Sequence, residues 1–249
     1  MEKLNNTKNL LTIAYNGTNY SGWQKQENAI TIQETIEIAL KKLFGKSLEI
    51  RGASRTDAGV HALGQRAVFL HTHTIPMDNL PLAINNFLPV DIRIVKAETT
   101  DEDFHPQYDA KNKTYKYRIY NKRIMNPLEE GFAWHVNPSL DVSLMEKAAL
   151  SLIGTHDFNA FCAAGATTKT TIRTINNLKI LRQGDIIEIL INGNGFLYNM
   201  VRIISGTLAY VGYRKLQVED VSAILQSKDR TKAGITAPPQ GLTLVKINY

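Results

Sequence analysis

A chain of 249 residues with 43% hydrophobic and 21% charged side chains has the length and apolar content to bury a core, which excludes an intrinsically disordered protein. Its 29 Lys and Arg against 23 Asp and Glu give a formal charge of +6, which favours a polyanionic partner without identifying one. Cys162 is the only cysteine, which excludes an intrachain disulfide, and no run approaches the roughly 20 apolar residues of a membrane span, so a soluble cytoplasmic protein is expected.

The opening Met1 to Asn9 is too polar for a signal peptide. Leu10 to Tyr15 then reads as a strand, followed by the turn-rich Asn16-Gly17-Thr18 and by Tyr20 to Gln24. A helix comes next: Thr31 and Glu34 form a capping-box pattern, Ile32, Ile36, Ala39, Leu40 and Leu43 share a face, and Gly45 supplies the stop. Two strands flank residues 52–62, Asp78 to Phe87 reads as a short helix with Pro81 in its first turn, and Ile92 to Glu98 as a strand. This gives the order βαββαβ.

The same order returns in the second half: a strand at Lys113 to Tyr120, a helix at Val142 to Ile153, and strands at Ile172 to Arg182 and Ile186 to Ile191. A long helix from Phe196 to Val211 and a closing strand from Leu242 to Asn248 complete it, with an extra helix at Val218 to Gln226. The pattern predicts an α+β protein of two ferredoxin-like βαββαβ halves with antiparallel sheets, residues 1–108 and 109–249, divided near Pro106.

Chemistry concentrates in residues 52–62, GASRTDAGVHA, where a loop between strands carries Arg55, Asp57 and His61. A lone Asp beside a Gly is most often a turn former. Here Arg55, two residues away, is placed to hold Asp57 ionised, and Gly59 lets the backbone turn. Residues 111–123, KNKTYKYRIYNKR, interleave cations with aromatics, which suits either a nucleic-acid surface or a solvated strand face. The glycines of residues 193–206 match no nucleotide-binding fingerprint. No nucleotide cofactor is therefore implied, and His71 and His73, with no clear third ligand nearby, do not point to a metal.

The Arg55-Thr56-Asp57-x-Gly59-Val60-His61 string resembles the signature of the TruA family of tRNA pseudouridine synthases. GNGFLYNMVRIISG resembles that family's second motif, Gly154-x-His156-Asp157-Phe158-x-x-Phe161 a third, and the Ala237-Pro238-x-x-Gly241-Leu242 element its closing one. The resemblance implies two ferredoxin-like domains whose sheets run together across a cleft. It implies uridine isomerisation at positions 38, 39 and 40 of the tRNA anticodon stem-loop by a homodimer without metal or cofactor. Asp57 would be the nucleophile, Tyr115 the active-site tyrosine, and Arg202 the cation paired with the carboxylate.

Arg55 is placed to fill the stack that a flipped nucleotide vacates. Lys111, Lys113, Lys116, Arg118, Lys228 and Arg230 are expected at phosphates. Alternation puts Tyr115 on one face with Tyr117 and Ile119, and a strand end or bulge at Tyr115 would separate it from them. The competing reading is a non-catalytic RNA-binding module, but the strand Arg51-Gly52-Ala53-Ser54 lacks the aromatic such modules stack on. A metal-dependent nuclease would need more carboxylates beside Asp57.

Overall fold

The computed structural model describes residues 7–165 and 168–249, so Met1 to Asn6 of the polar opening lie outside the described residues. The chain forms two compact units, residues 1–111 with 244–249, and residues 112–243.

In the first unit, β1 (Lys8–Tyr15), α1 (Ile32–Phe44), β2 (Arg51–Gly52), β3 (His61–Leu70), α2 (Leu80–Asn85) and β4 (Ile92–Thr100) follow the βαββαβ order. β1 is central, antiparallel to β3 on one edge and to β4 on the other. β2 is antiparallel to the far edge of β3, pairing Arg51 with Val68. Helix α1 starts where Thr31 Oγ1 accepts from the Glu34 N–H at 3.4 Å and ends at Gly45, whose φ of 71° is left-handed. Ile32, Ile36, Ala39 and Leu40 are buried, each of the large ones worth roughly 1.5–3 kcal/mol over exposure. Leu43 is half-buried at the edge of that face.

The second unit contains β5 (Asn112–Tyr120), β6 (Trp134–His135), α3 (Val142–Ala149), β7 (Gly154–Asp157), β8 (Ile172–Gln183), β9 (Ile186–Gly193), α4 (Met200–Gly212) and α5 (Val218–Ser227). Its sheet runs β5-β9-β8-β7, antiparallel throughout, with β6 parallel to β5. Helix α4 is apolar almost all round, burying Met200, Val201, Ile203, Ile204, Leu208 and Val211. The last strand, β10 (Leu242–Asn248), begins in this unit, and from Leu244 its residues belong to the first, beside β3.

Three expectations need correction. α4 begins at Met200, not Phe196, because Asn199 sits at φ 58° and breaks the helical path. α3 ends at Ala149, and Leu150–Leu152 tighten into a 3-10 turn. β5 pairs with β9 in unbroken register from Lys113 to Tyr120, so no bulge turns Tyr115 away from the buried face it shares with Tyr117 and Ile119. Strands β6 and β7 were not foreseen; both are too short to carry a periodicity.

Candidate active site

Asp57 stands on the loop between β2 and β3, half-buried between the buried Thr56 and the exposed Ala58. Thr56 anchors that loop. Its Oγ1 shares a 2.7 Å hydrogen bond with the Tyr15 phenol, buried on both sides, and its carbonyl accepts from the Trp23 N–H at 3.0 Å. The ladder between β1 and β3 shifts register between Ile13 and Tyr15, a bulge at the residue whose phenol reaches Thr56. Gly22, at φ 90°, lets the backbones meet: a Cβ there would stand 2.6 Å from Thr56 O and 3.1 Å from the Asp57 carbonyl carbon.

The two ends of the loop are fixed as well. Gln65 accepts from Ser54 N–H at 3.2 Å and donates to Ser54 O at 2.6 Å, a side chain pairing with backbone as a strand would. Beyond Asp57, Val60 N–H donates to Asp57 O at 3.1 Å and Gly59 N–H to Tyr20 O at 3.3 Å. His61 opens β3, buried, and its Nδ1 accepts from Gly17 N–H at 3.1 Å, so the imidazole holds the loop through its unprotonated nitrogen. With Thr56 on one side and Gly59 and Val60 on the other held by hydrogen bonds, the backbone that carries Asp57 has a defined position at little further entropic cost.

Arg55 does not form the expected pair with Asp57. Its side chain is exposed and makes no hydrogen bond or ion pair among the described residues, since hydration of an exposed guanidinium competes well with a surface ion pair. His71 and His73 flank Phe44, His71 edge-on at 4.5 Å and His73 stacked at 5.6 Å, and His73 Nε2 lies 3.1 Å from Asn9 Oδ1. Burial, with Lys46 and His73 nearby, lowers the His71 pKa. Among the described residues no group of three or more His, Cys, Asp or Glu is arranged to hold a metal, and no helix is long and apolar enough to cross a membrane.

The second unit holds Tyr115 and Arg202. The Tyr115 ring is buried and meets Phe196 edge-to-face at 5.2 Å, which gives the GNGF turn a packing role rather than a helical one. Arg202 lies on the first turn of α4, where Nη1 donates to Asn199 Oδ1 at 2.7 Å and Nε to Ala237 O at 2.7 Å. Tyr117 donates to Pro238 O at 2.8 Å, and burial raises its pKa far above the usual phenol range while the positive charge of Arg202 opposes that rise.

Of the cations expected at phosphates, Lys116, Arg118 and Lys228 form ion pairs within the protein. Lys116 Nζ lies 3.0 Å from Glu188 Oε1, while Arg118 lies 2.8 Å from Glu129 and 3.6 Å from Glu188, its partner across the β5–β9 ladder. Lys228 pairs with Asp157 at 2.9 Å, and the Thr171 hydrogen bond, followed by that to Lys228, depresses the Asp157 pKa. Burial pushes the Lys113 ammonium down to about 8. Lys111 is exposed.

Sequence reasoning passed over Tyr15, Gly22, Trp23 and Gln65, the residues that brace the loop. The signal lies in the density of aromatics and glycines from Tyr15 to Trp23, of which only Asn16-Gly17-Thr18 reads as turn-rich and Tyr20 to Gln24 carries no assignment.

The first unit thus presents a carboxylate on a braced loop, and the second, by itself, an arginine whose guanidinium is held by hydrogen bonds, side chains of the types that catalyse through charge and nucleophilicity. A family model described as tRNA pseudouridine synthase matches residues 11–109 and 148–249. A tRNA pseudouridine synthase A of Thermoanaerobacter sp. (strain X514) is 52% identical over 240 residues, covering 96% of this chain and 98% of that one. A tRNA pseudouridine synthase A 2 of Clostridium tetani is 50% identical over 241 residues, covering 96% and 97%.

This chain belongs to the tRNA pseudouridine synthase family and is an isomerase; a non-catalytic RNA-binding module is not favoured. Among solved structures, a chain of an H/ACA RNP bound to a substrate RNA matches at a TM-score of 0.38 and 9% identity, covering 81% of this chain and 44% of that one, too distant to carry an argument.

Proposed function

We propose that this isomerase converts uridine to pseudouridine at positions 38, 39 and 40 of the tRNA anticodon stem-loop, as a cytoplasmic homodimer. Asp57 is the nucleophile, and Tyr115 and Arg202 act with it. The observation that carries the reading is the bracing of Thr56, which fixes the residue next to the carboxylate through both hydroxyl and carbonyl.

The reaction breaks the N1–C1′ bond, turns the ring and forms a C5–C1′ bond; C5 gives up a proton and N1 takes one up, so substrate and product are isomers. It needs no net oxidation. An ionised carboxylate serves each available first step, attack at C1′ or at C6 or proton removal at C2′. Tyr115 stacks on the base and takes part in removing the C5 proton, while the Arg202 cation favours the ionised carboxylate. A stem nucleotide must leave its helix to be reached, and Arg55, exposed beside Asp57, fills the stack it vacates.

The test is incubation of an unmodified tRNA transcript with purified protein, reading pseudouridine at each of the three positions. Asp57→Asn should fold and bind the transcript yet form no product. Turnover within tenfold of wild type would remove Asp57 from the nucleophile's role. Tyr115→Phe should bind normally and release the C5 hydrogen slowly.

A further inference from the structure

The segment that accepts a hydrogen bond from the Arg202 guanidinium is also bonded by a second arginine, Arg230. Ala237 meets Arg202 twice, its N–H donating to Arg202 O at 3.2 Å and its carbonyl accepting from Arg202 Nε at 2.7 Å. The segment before it lies flat on α4. A Cβ at Gly206 would stand 2.0 Å from Ile235 O, one at Gly234 would stand 2.6 Å from Thr207 Cα, and Gly234 N–H donates to Thr207 Oγ1 at 2.9 Å.

Arg230 closes the segment from its other side. Nη1 donates to Gly234 O at 3.0 Å and Nη2 to Thr236 Oγ1 at 3.1 Å, so one planar fork spans the three residues that lead into Ala237. The start of the loop is tied down too: Lys228 pairs with Asp157 at 2.9 Å, and Asn159 Nδ2 donates to Lys228 O at 2.8 Å.

We propose that Arg230 is a positioning residue of the reaction, acting through Gly234, Thr236 and Ala237 on the Arg202 guanidinium, rather than a contact to tRNA phosphate. The inference rests on the role proposed for Arg202 above. An arginine that reads phosphate offers its fork outward, whereas both terminal nitrogens of Arg230 bond the protein's own loop. Releasing them lets Ala237 drift, and a misplacement of about 1 Å far from the chemistry costs on the order of 10²-fold in rate.

Full-length wild type, Arg230→Gln, Thr236→Val, Arg202→Met, Arg202→Lys and the Arg202→Lys/Arg230→Gln double variant are compared on one unmodified tRNA transcript. Single-turnover rate and tRNA affinity at several salt concentrations are measured for each. Arg230→Gln should slow the rate by about 10- to 100-fold, with affinity and its salt slope unchanged. Thr236→Val removes an acceptor and no charge, so it should slow the rate at unchanged affinity, and it decides the matter alone if Arg230→Gln fails to fold. In the Arg202→Lys background, Arg230→Gln should add less than about twofold, since both changes act on one group.

A wild-type rate in Arg230→Gln beside a slow Arg202→Met overturns the inference alone, as do effects that multiply in the double variant. Weakened binding with a salt slope reduced by about 1 would return Arg230 to a phosphate. A wild-type rate in Arg202→Met overturns the reading of Arg202, and the inference with it.

Discussion

Lys113 stood in the sequence as one more cation in a basic run, and burial changes what it can do. Its pKa falls from 10.5 to about 8, so between those values the unfolded chain binds a proton that the folded chain does not. Stability therefore rises with pH across that window, and below it the full penalty applies, on the order of 3 kcal/mol. Lys113→Met should be more stable than wild type in urea at pH 7, and the gap should close as pH approaches 10. A constant gap would show that burial does not set this titration. At the same scale the loop that carries Asp57 was legible as a loop, because Arg55, Thr56, Gly59 and His61 lie close together in sequence. Tyr15 was not, because its partner Thr56 lies 41 positions away and no local pattern encodes that pairing.

Elements were legible where a local device ends them. Thr31 and Gly45 bound α1 in sequence and in structure alike, since capping depends on residues within one turn. The start of α4 was not, because Phe196 and Leu197 carry helical periodicity while Asn199 adopts a left-handed conformation that propensity does not announce. α4 also offers a test in which two effects oppose each other. Ala is favoured over Gly inside a helix by about 1 kcal/mol. At Gly206, however, the new methyl would stand 2.0 Å from the Ile235 carbonyl oxygen, a backbone atom that can yield only by moving its segment. Overpacking of that kind costs about 1–3 kcal/mol, so the clash should win. Gly206→Ala should unfold at lower urea and, by displacing the segment that carries Ala237, slow single turnover. A variant more stable than wild type would show that the segment yields freely.

Across the whole molecule the two βαββαβ runs were legible as alternating periods, yet periodicity says only that Leu242 to Asn248 is a strand and not which strand lies beside it. Its last residues complete the unit that carries Asp57. Val245 O packs where Gly64 lacks a side chain, and Asn248 O accepts from Lys111 N–H at 2.9 Å. The Tyr249 ring meets Phe104 edge-to-face at 4.8 Å and lies 5.8 Å from the Arg66 guanidinium, while its hydroxyl donates to Pro106 O at 2.8 Å. Arg66 also pairs with Glu98 at 2.9 Å, and its carbonyl accepts from Ala53 N–H at 2.7 Å, at the start of the loop that carries Asp57. The final residue thus supports β3 and the loop ahead of it without approaching the chemistry by any contact of its own among those described. Tyr249→Ala should cost about 3 kcal/mol and lower the melting temperature by about 6–12 °C. Tyr249→Phe, which keeps the ring and loses one hydrogen bond, should cost about 1 kcal/mol. At a temperature where Tyr249→Ala remains folded its single-turnover rate should stay near wild type, the converse of Asp57→Asn, which should melt normally and form no product. Melting curves and rates for the three variants separate support from chemistry, and a Tyr249→Ala protein that melts with wild type would mean that the C-terminal residue does not hold this unit together.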